Sequence, residues 1–239
     1  MTTDRADAPI DAPTDLLTVL GGLQADFLAT IPLVDPTTRV PWCGRWRVKD
    51  LVVHLARIHH WAAAQARRKQ ETPLGRGPFV LEDLYATCAA ELRDTLTELG
   101  PDALAWTLVE NGPASFWHRR QTHETLVHLW DLRTAGGLSL SVDPRIWADT
   151  VDEVVTVMQP RQERMGRMEP LPAPVGLVAV DAERSWSLGG SDAPSVTVTG
   201  TAEALALLLW GRTTPADERL TVDGDAAALD DALSRRLTP

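Results

Sequence analysis

The hydrophobic pattern of this chain changes once, and that change limits how it can fold. Up to about residue 165 apolar residues recur at helical spacing; beyond EPLPAPVG, residues 169–176, they fall into short strand-like runs. The spacing predicts five helices, at 14–30, 47–69, 80–99, 114–135 and 144–164. Thr14 or Asp15 is placed to cap the first, and Pro32 and Pro36 end it. Gly136 and Gly137 close the fourth, and Pro144 opens the fifth. Four helices with short to moderate connections suggest a bundle, the fifth being an addition or a bridge. After the prolines, strands at 175–180, 185–188 and 195–199 precede a helix at 202–210, a strand at 219–222 and a last helix at 226–236. The expectation is two domains: a helical bundle over 14–165, a linker over 166–176, and a small α+β domain over 177–239. A disordered lead is expected over 1–13.

Composition narrows the function. The net charge of −10 argues against nucleic acid or an anionic membrane as the main partner. No run reads as the roughly 18–20 apolar residues that span a bilayer. The polar, acidic start MTTDRADAPIDAPTD is unlike a signal peptide. Cys43 and Cys88 make no disulfide framework, so a reducing cytoplasm is expected.

The chemistry concentrates in FWHRRQTHETLVHLWD, residues 116–131. On a helix, Glu124, Val127, His128 and Asp131 fall within one arc of about 100°, with Leu126, Leu129 and Trp130 opposite and His123 beside Trp130. Buried ionisable groups need a partner that offsets their desolvation, and a divalent metal would serve. The i, i+4 spacing brings Glu124 and His128 to one point, whereas His123 is excluded as a ligand. All six histidines lie between positions 54 and 128, and His54, inside the apolar stripe of the second helix, is the best third ligand. Two histidines and one carboxylate leave positions open for water or substrate. The alternative is a solvated face or a hydrogen-bonded core pair. Asp50 and Asp131 could orient His54 and His128, or serve as ordinary helix carboxylates. Arg119 and Arg120 could hold a carboxylate of thiol or substrate, or form a solvated helix start. Cys43 reads as a small buried hydrophobe rather than a nucleophile. Trp46, Trp61, Trp117 and Trp130 are explained by core packing.

Three segments carry a resemblance. VPWCGRWRVKDLVVHLARIHHWA (40–62), FWHRRQTHETLVHLWDLRTAGG (116–137) and VTGTAEALALLLWGRTTP (198–215) resemble, in order, the signatures of the mycothiol-dependent maleylpyruvate isomerase family. The resemblance implies a DinB-like four-helix bundle with a C-terminal α+β domain. It implies a divalent metal, usually zinc, on His54, Glu124 and His128, and an assisting catalytic arginine at Arg212. Arg47 replaces a frequent Thr or Ser cap, and His118 and Leu129 replace frequent arginines, so substrate-facing positions differ.

The activity implied is attack of a metal-activated low-molecular-weight thiol, mycothiol, on a small electrophile. S-transfer or detoxification ranks above cis–trans isomerisation of maleylpyruvate. The rivals are a non-catalytic metal- or small-molecule-binding protein on the same scaffold, and a non-haem iron oxygenase. A monomer or homodimer is expected.

Overall fold

The computed structural model describes residues 15–238, so the expected lead over 1–13 and Thr14 lie outside the described residues. Asp15 caps α1 (Leu16–Thr30): its Oδ1 accepts the backbone N–H groups of Leu17 and Thr18. A 3-10 turn, Ile31–Leu33, follows at Pro32. With α2 (Val48–Ala66), α3 (Leu81–Leu99) and α4 (Ser115–Ala135), α1 forms the four-helix bundle. Leu16–Leu33 corrects one expectation. Its 18 residues have a mean hydropathy of 1.5, long and apolar enough by composition to cross a membrane. Gln24 and Asp26 interrupt the run and conceal it. In the structure one face of it, with Leu20, Leu23 and Phe27, is buried in the bundle.

α4 is the central element. Trp117, Arg120, His123, Leu126, His128 and Leu132 are all buried, so it is covered around most of its circumference. Its polar arc faces other elements, not solvent. α4 ends at Gly136, where a Cβ would stand 2.6 Å from Val34 Cγ2. Between α3 and α4 lies a small antiparallel hairpin, β1 (Leu104–Trp106) and β2 (Asn111–Pro113). Strands of three residues carry too little alternation to be read from sequence.

The fifth helical stretch has three parts: α5 (Pro144–Glu153), a π-helical turn (Val154–Met158) and α6 (Gln159–Arg164). Pro160 cannot donate to the preceding turn and crowds it, and the widened turn accommodates the ring. α5 lies against both α4 and α7, so it bridges the two halves.

The C-terminal part is a four-stranded sheet, ordered β4-β3-β5-β6, with β3 (Val175–Ala179), β4 (Arg184–Leu188), β5 (Val196–Gly200) and β6 (Leu220–Gly224). β3 and β5 are parallel and the other pairs antiparallel. α7 (Ala202–Leu209) and α8 (Ala226–Ser234) cover the sheet. Val175 and Gly176, where the expected linker and the expected first strand overlap, open β3. β6 runs two residues past its expected end, to Gly224. There φ is 109° and a Cβ would meet Ser195 O at 2.4 Å, so the site requires glycine. Val196 and Val198 point into the core while Thr197 and Thr199 alternate outward. Leu126 of α4, Trp147 of α5 and Leu205 of α7 share one apolar core, continuous across both halves.

Candidate metal centre

His54 is on the second turn of α2, and Glu124 and His128 are one turn apart on α4. Their ligand atoms all lie within 4.8 Å of one another. Glu124 Oε1 stands 3.5 Å from His54 Nε2 and 3.3 Å from His128 Nε2. Donors arranged tetrahedrally about zinc at ordinary bond lengths are about 3.3–3.6 Å apart, so these separations fit a tetrahedral cation. The imidazole rings meet edge to face at 5.1 Å, and Trp46 packs on His54 at 4.6 Å.

The surroundings define the free atoms. His128 Nδ1 stands 2.8 Å from Asp131 Oδ2. This contact favours the tautomer that donates from Nδ1 and leaves the Nε2 lone pair toward the ligand cluster. Asp131 also accepts from Arg212, at 3.2 Å to Nε and 2.9 Å to Nη2. Glu124 Oε2 accepts from Arg120, which leaves Oε1 free to ligate. Arg120 is itself held by the buried carboxylate of Glu153. Burial opposes charge on Glu124, yet Arg120 and the two histidines hold its pKa well below the usual carboxylate range. Burial likewise opposes charge on His128, but Asp131 and Glu124 raise it to about 9. Without a cation the cluster therefore takes up a proton, which a metal would displace.

The centre opens into a cavity of about 550 Å³. Trp46, Trp61, Trp117 and Trp210 give it apolar walls, and Arg161, Arg167 and Arg212 line it as well. Trp117 and its hydrogen bond to Trp106 O, at 2.7 Å, tie the cavity wall to β1.

The predicted site residues divide clearly. His54, Glu124, His128, Arg120 and Arg212 are brought together around one cavity. Arg119 is not: it turns to Asp149 (2.9 Å) and Asp152 (2.7 Å) on α5 and is absent from the cavity wall. Nothing in the local sequence of α4 announces these acids. Asp50 accepts from the N–H of Arg47 at 2.9 Å, so it acts at the start of α2 and supplies the helix-end contact that Arg47 cannot. Cys43 sits 3.5 Å from both Asp131 and Arg212; burial and Asp131 push its thiol up to about 12. It stays protonated at neutral pH, in keeping with its reading as no nucleophile. Trp61 and Trp117 pack on each other at 5.2 Å, and Trp130 lies outside the cavity wall. Sequence reasoning missed Glu153, Arg161 and Arg167, whose places depend on contacts with distant segments.

The family described as the mycothiol maleylpyruvate isomerase N-terminal domain matches residues 23–133, and the MDMPI C-terminal domain matches residues 145–231. The chain belongs to the mycothiol maleylpyruvate isomerase family. That places it among enzymes. The solved mycothiol-dependent maleylpyruvate isomerase superposes with a TM-score of 0.64 at 18% identity, covering 90% of this chain and 95% of that one. A histidine-to-alanine mutant of a mycothiol-dependent maleylpyruvate isomerase gives 0.62 at 17% identity, with the same coverage. At this identity the likeness bears on the fold. No curated protein matches the sequence. Within the maleylpyruvate isomerase family arrangement, the first match contains all three candidate ligands and the second contains Arg212, so the cavity is built by both domains.

Proposed function

We propose that the chain is a metal- and mycothiol-dependent enzyme that directs a thiol sulfur onto a small electrophile, with S-transfer or detoxification as its reaction. The observation that supports this most is the convergence of His54, Glu124 and His128 in the wall of a tryptophan-lined cavity. Asp131 and Arg120 hold the two α4 ligands with their lone pairs free.

His54, Glu124 and His128 would hold the cation, and its chemistry when bound is to lower a thiol's pKa from its usual value near 8.5. The protein's own groups do the rest. Trp46 and Trp117 restrict water near the reacting sulfur. Arg212, aligned by Asp131, presents positive charge to an electrophile oxygen. With an alkyl or aryl halide or an epoxide, a C–S bond forms as the carbon–leaving-group bond breaks. With a cis-alkene conjugated to a carbonyl, sulfur adds to carbon and the π electrons move onto the carbonyl oxygen. The former double bond then rotates, and elimination restores the alkene and expels the thiolate. Both outcomes share the first step.

The test is mycothiol-dependent consumption of a halodinitrobenzene and of maleylpyruvate by zinc-loaded protein, alongside Glu124→Gln. Zinc near one per chain is expected, with turnover of at least one electrophile and at least about a hundredfold lower activity in the variant. Turnover that needs no thiol, or a variant as active as the parent, would overturn the reading. Iron with oxygen-dependent turnover would replace it by an oxygenase.

A further inference from the structure

Along α4 the cavity wall runs through Trp117, Gln121, Glu124 and His128, which share one face of the helix. Gln121 is the member of this row that neither the candidate centre nor the tryptophan packing uses. Its side chain is 1% exposed, yet it borders the cavity. Its Oε1 stands 2.8 Å from Nδ1 of His59, which is fully buried and outside the cavity wall. A carboxamide oxygen only accepts, so Nδ1 carries the proton and donates it. Burial lowers the His59 pKa to about 4, so at neutral pH the ring is uncharged and this N–H is the one it has. The amide is thereby oriented. Its oxygen is taken by His59, and its amino group has no acceptor among the described residues. The reverse orientation would present the amide oxygen to the cavity beside Glu124, one turn away, whose carboxylate Arg120 and the two histidines keep charged. Two partial negative charges would then face each other.

A buried N–H group without an acceptor is costly, and the cavity is where an acceptor can reach this one. We propose that Gln121 is a specificity residue: its amide N–H donates to an uncharged oxygen, such as a carbonyl, of the small molecule seated between Trp117 and the candidate centre, and His59 is the positioning residue that keeps the amide turned this way. Arg212 stands at the other end of the row, tied through Asp131 to His128. A ligand lying across the centre therefore meets a neutral donor at one end and a cation at the other. This donor goes beyond the thiol reaction proposed above and does not depend on it.

Acetophenone and α-methylstyrene share a shape and differ in C=O against C=CH2. Nitrogen–proton correlation NMR titrations of full-length protein with each, with and without zinc, give both affinities. The ratio of acetophenone to α-methylstyrene affinity is expected to fall at least about fivefold in Gln121→Met, with α-methylstyrene affinity held within about twofold. His59→Leu should lower the ratio too, whereas His59→Asn, which keeps an N–H near the place of Nδ1, should restore most of it. The Gln121 side-chain amide signals, assigned through bonds in the parent, should move with acetophenone and not with α-methylstyrene; this needs no variant to fold. A ratio unchanged in Gln121→Met, equal loss of both probes, or amide signals indifferent to acetophenone would overturn the proposal. A ratio that responds to Gln121 only with zinc would also overturn it, by placing the oxygen on the cation. An unchanged ratio in His59→Leu would overturn the positioning role. Turnover with mycothiol is scored separately: its absence beside an intact, Gln121-dependent ratio would sink the enzyme reading and leave the donor standing.

Discussion

At His128 the two ring nitrogens have different duties: Nδ1 is fixed on Asp131 and Nε2 faces Glu124 and the cavity. Asp131→Asn keeps the volume but removes the charge and weakens the orientation. Zinc affinity should fall by about 10–100-fold, read by competition with a chromophoric chelator. An unchanged affinity would show that Asp131 serves only Arg212. The convergence of the three candidate ligands was legible in the sequence because one helical turn fixes Glu124 against His128, and because a histidine inside an apolar stripe needs a reason. That Asp131 could orient His128 was legible as well; that it also takes Arg212 was not, since Arg212 lies 81 positions away. His59 shows another limit. It is fully buried, with Nδ1 on Gln121 Oε1 at 2.8 Å, a partner on another helix 62 positions away. Burial, only partly opposed by Gln121, lowers its pKa from 6.5 to about 4. The unfolded chain therefore takes up this proton first as pH falls. The stability His59 contributes is complete above about pH 6.5 and is lost on descent toward about pH 4, by a quantity of order 3 kcal/mol. Urea midpoints of metal-free protein at about pH 7 and about pH 5 should differ less for His59→Asn than for the parent; equal differences would refute the assignment.

Between α4 and α5 the side chains form a chain of buried charge. Glu153 accepts from Arg120 and stands 2.9 Å from His123, which stands 2.9 Å from Asp149. Arg119 adds Asp149 and Asp152, and Asp152 also receives Arg184 and the Trp186 indole from β4. The network joins the bundle, the bridging helix and the sheet, and through Arg120 it ends on the candidate ligand Glu124. Glu153→Gln leaves Arg120 and His123 under-compensated in a dry site, and should cost about 3–5 kcal/mol in urea unfolding. Adding Arg120→Gln should cost less than the sum of the single changes, with a coupling of about 1–3 kcal/mol. Strict additivity would mean the two side chains act independently. Helix number and order were legible at this scale because long periodic segments and terminal signals agree: Asp15, Pro144 and Gly136 stand where the helices start and stop. The β1–β2 hairpin and the π turn were not. Both are too short for a period, and both depend on neighbours: Trp117 beneath the hairpin, and Pro160 after the turn.

Across the whole molecule, a cation at the candidate centre would work as a clasp. His54 belongs to α2, Glu124 and His128 to α4, and the opposite cavity wall comes from Arg161, Trp210, Arg212 and Thr238 of the C-terminal half. A cation bound there can bind only when α2 and α4 are folded against each other, so its binding free energy is added to folding. At free zinc about a thousandfold above Kd the gain is about 4 kcal/mol. For a chain of this size that corresponds to a rise in Tm of about 8–16 °C. Calorimetric scans of chelator-stripped and zinc-reconstituted protein should show this rise, and it should grow with the logarithm of free zinc. His54→Ala should abolish most of it, because the two remaining ligands lie one turn apart on a single helix and bind without clasping α2. A parent protein whose Tm ignores zinc would show that the cluster holds no cation. A full response in His54→Ala would place the cation elsewhere and dissolve the link between the two helices.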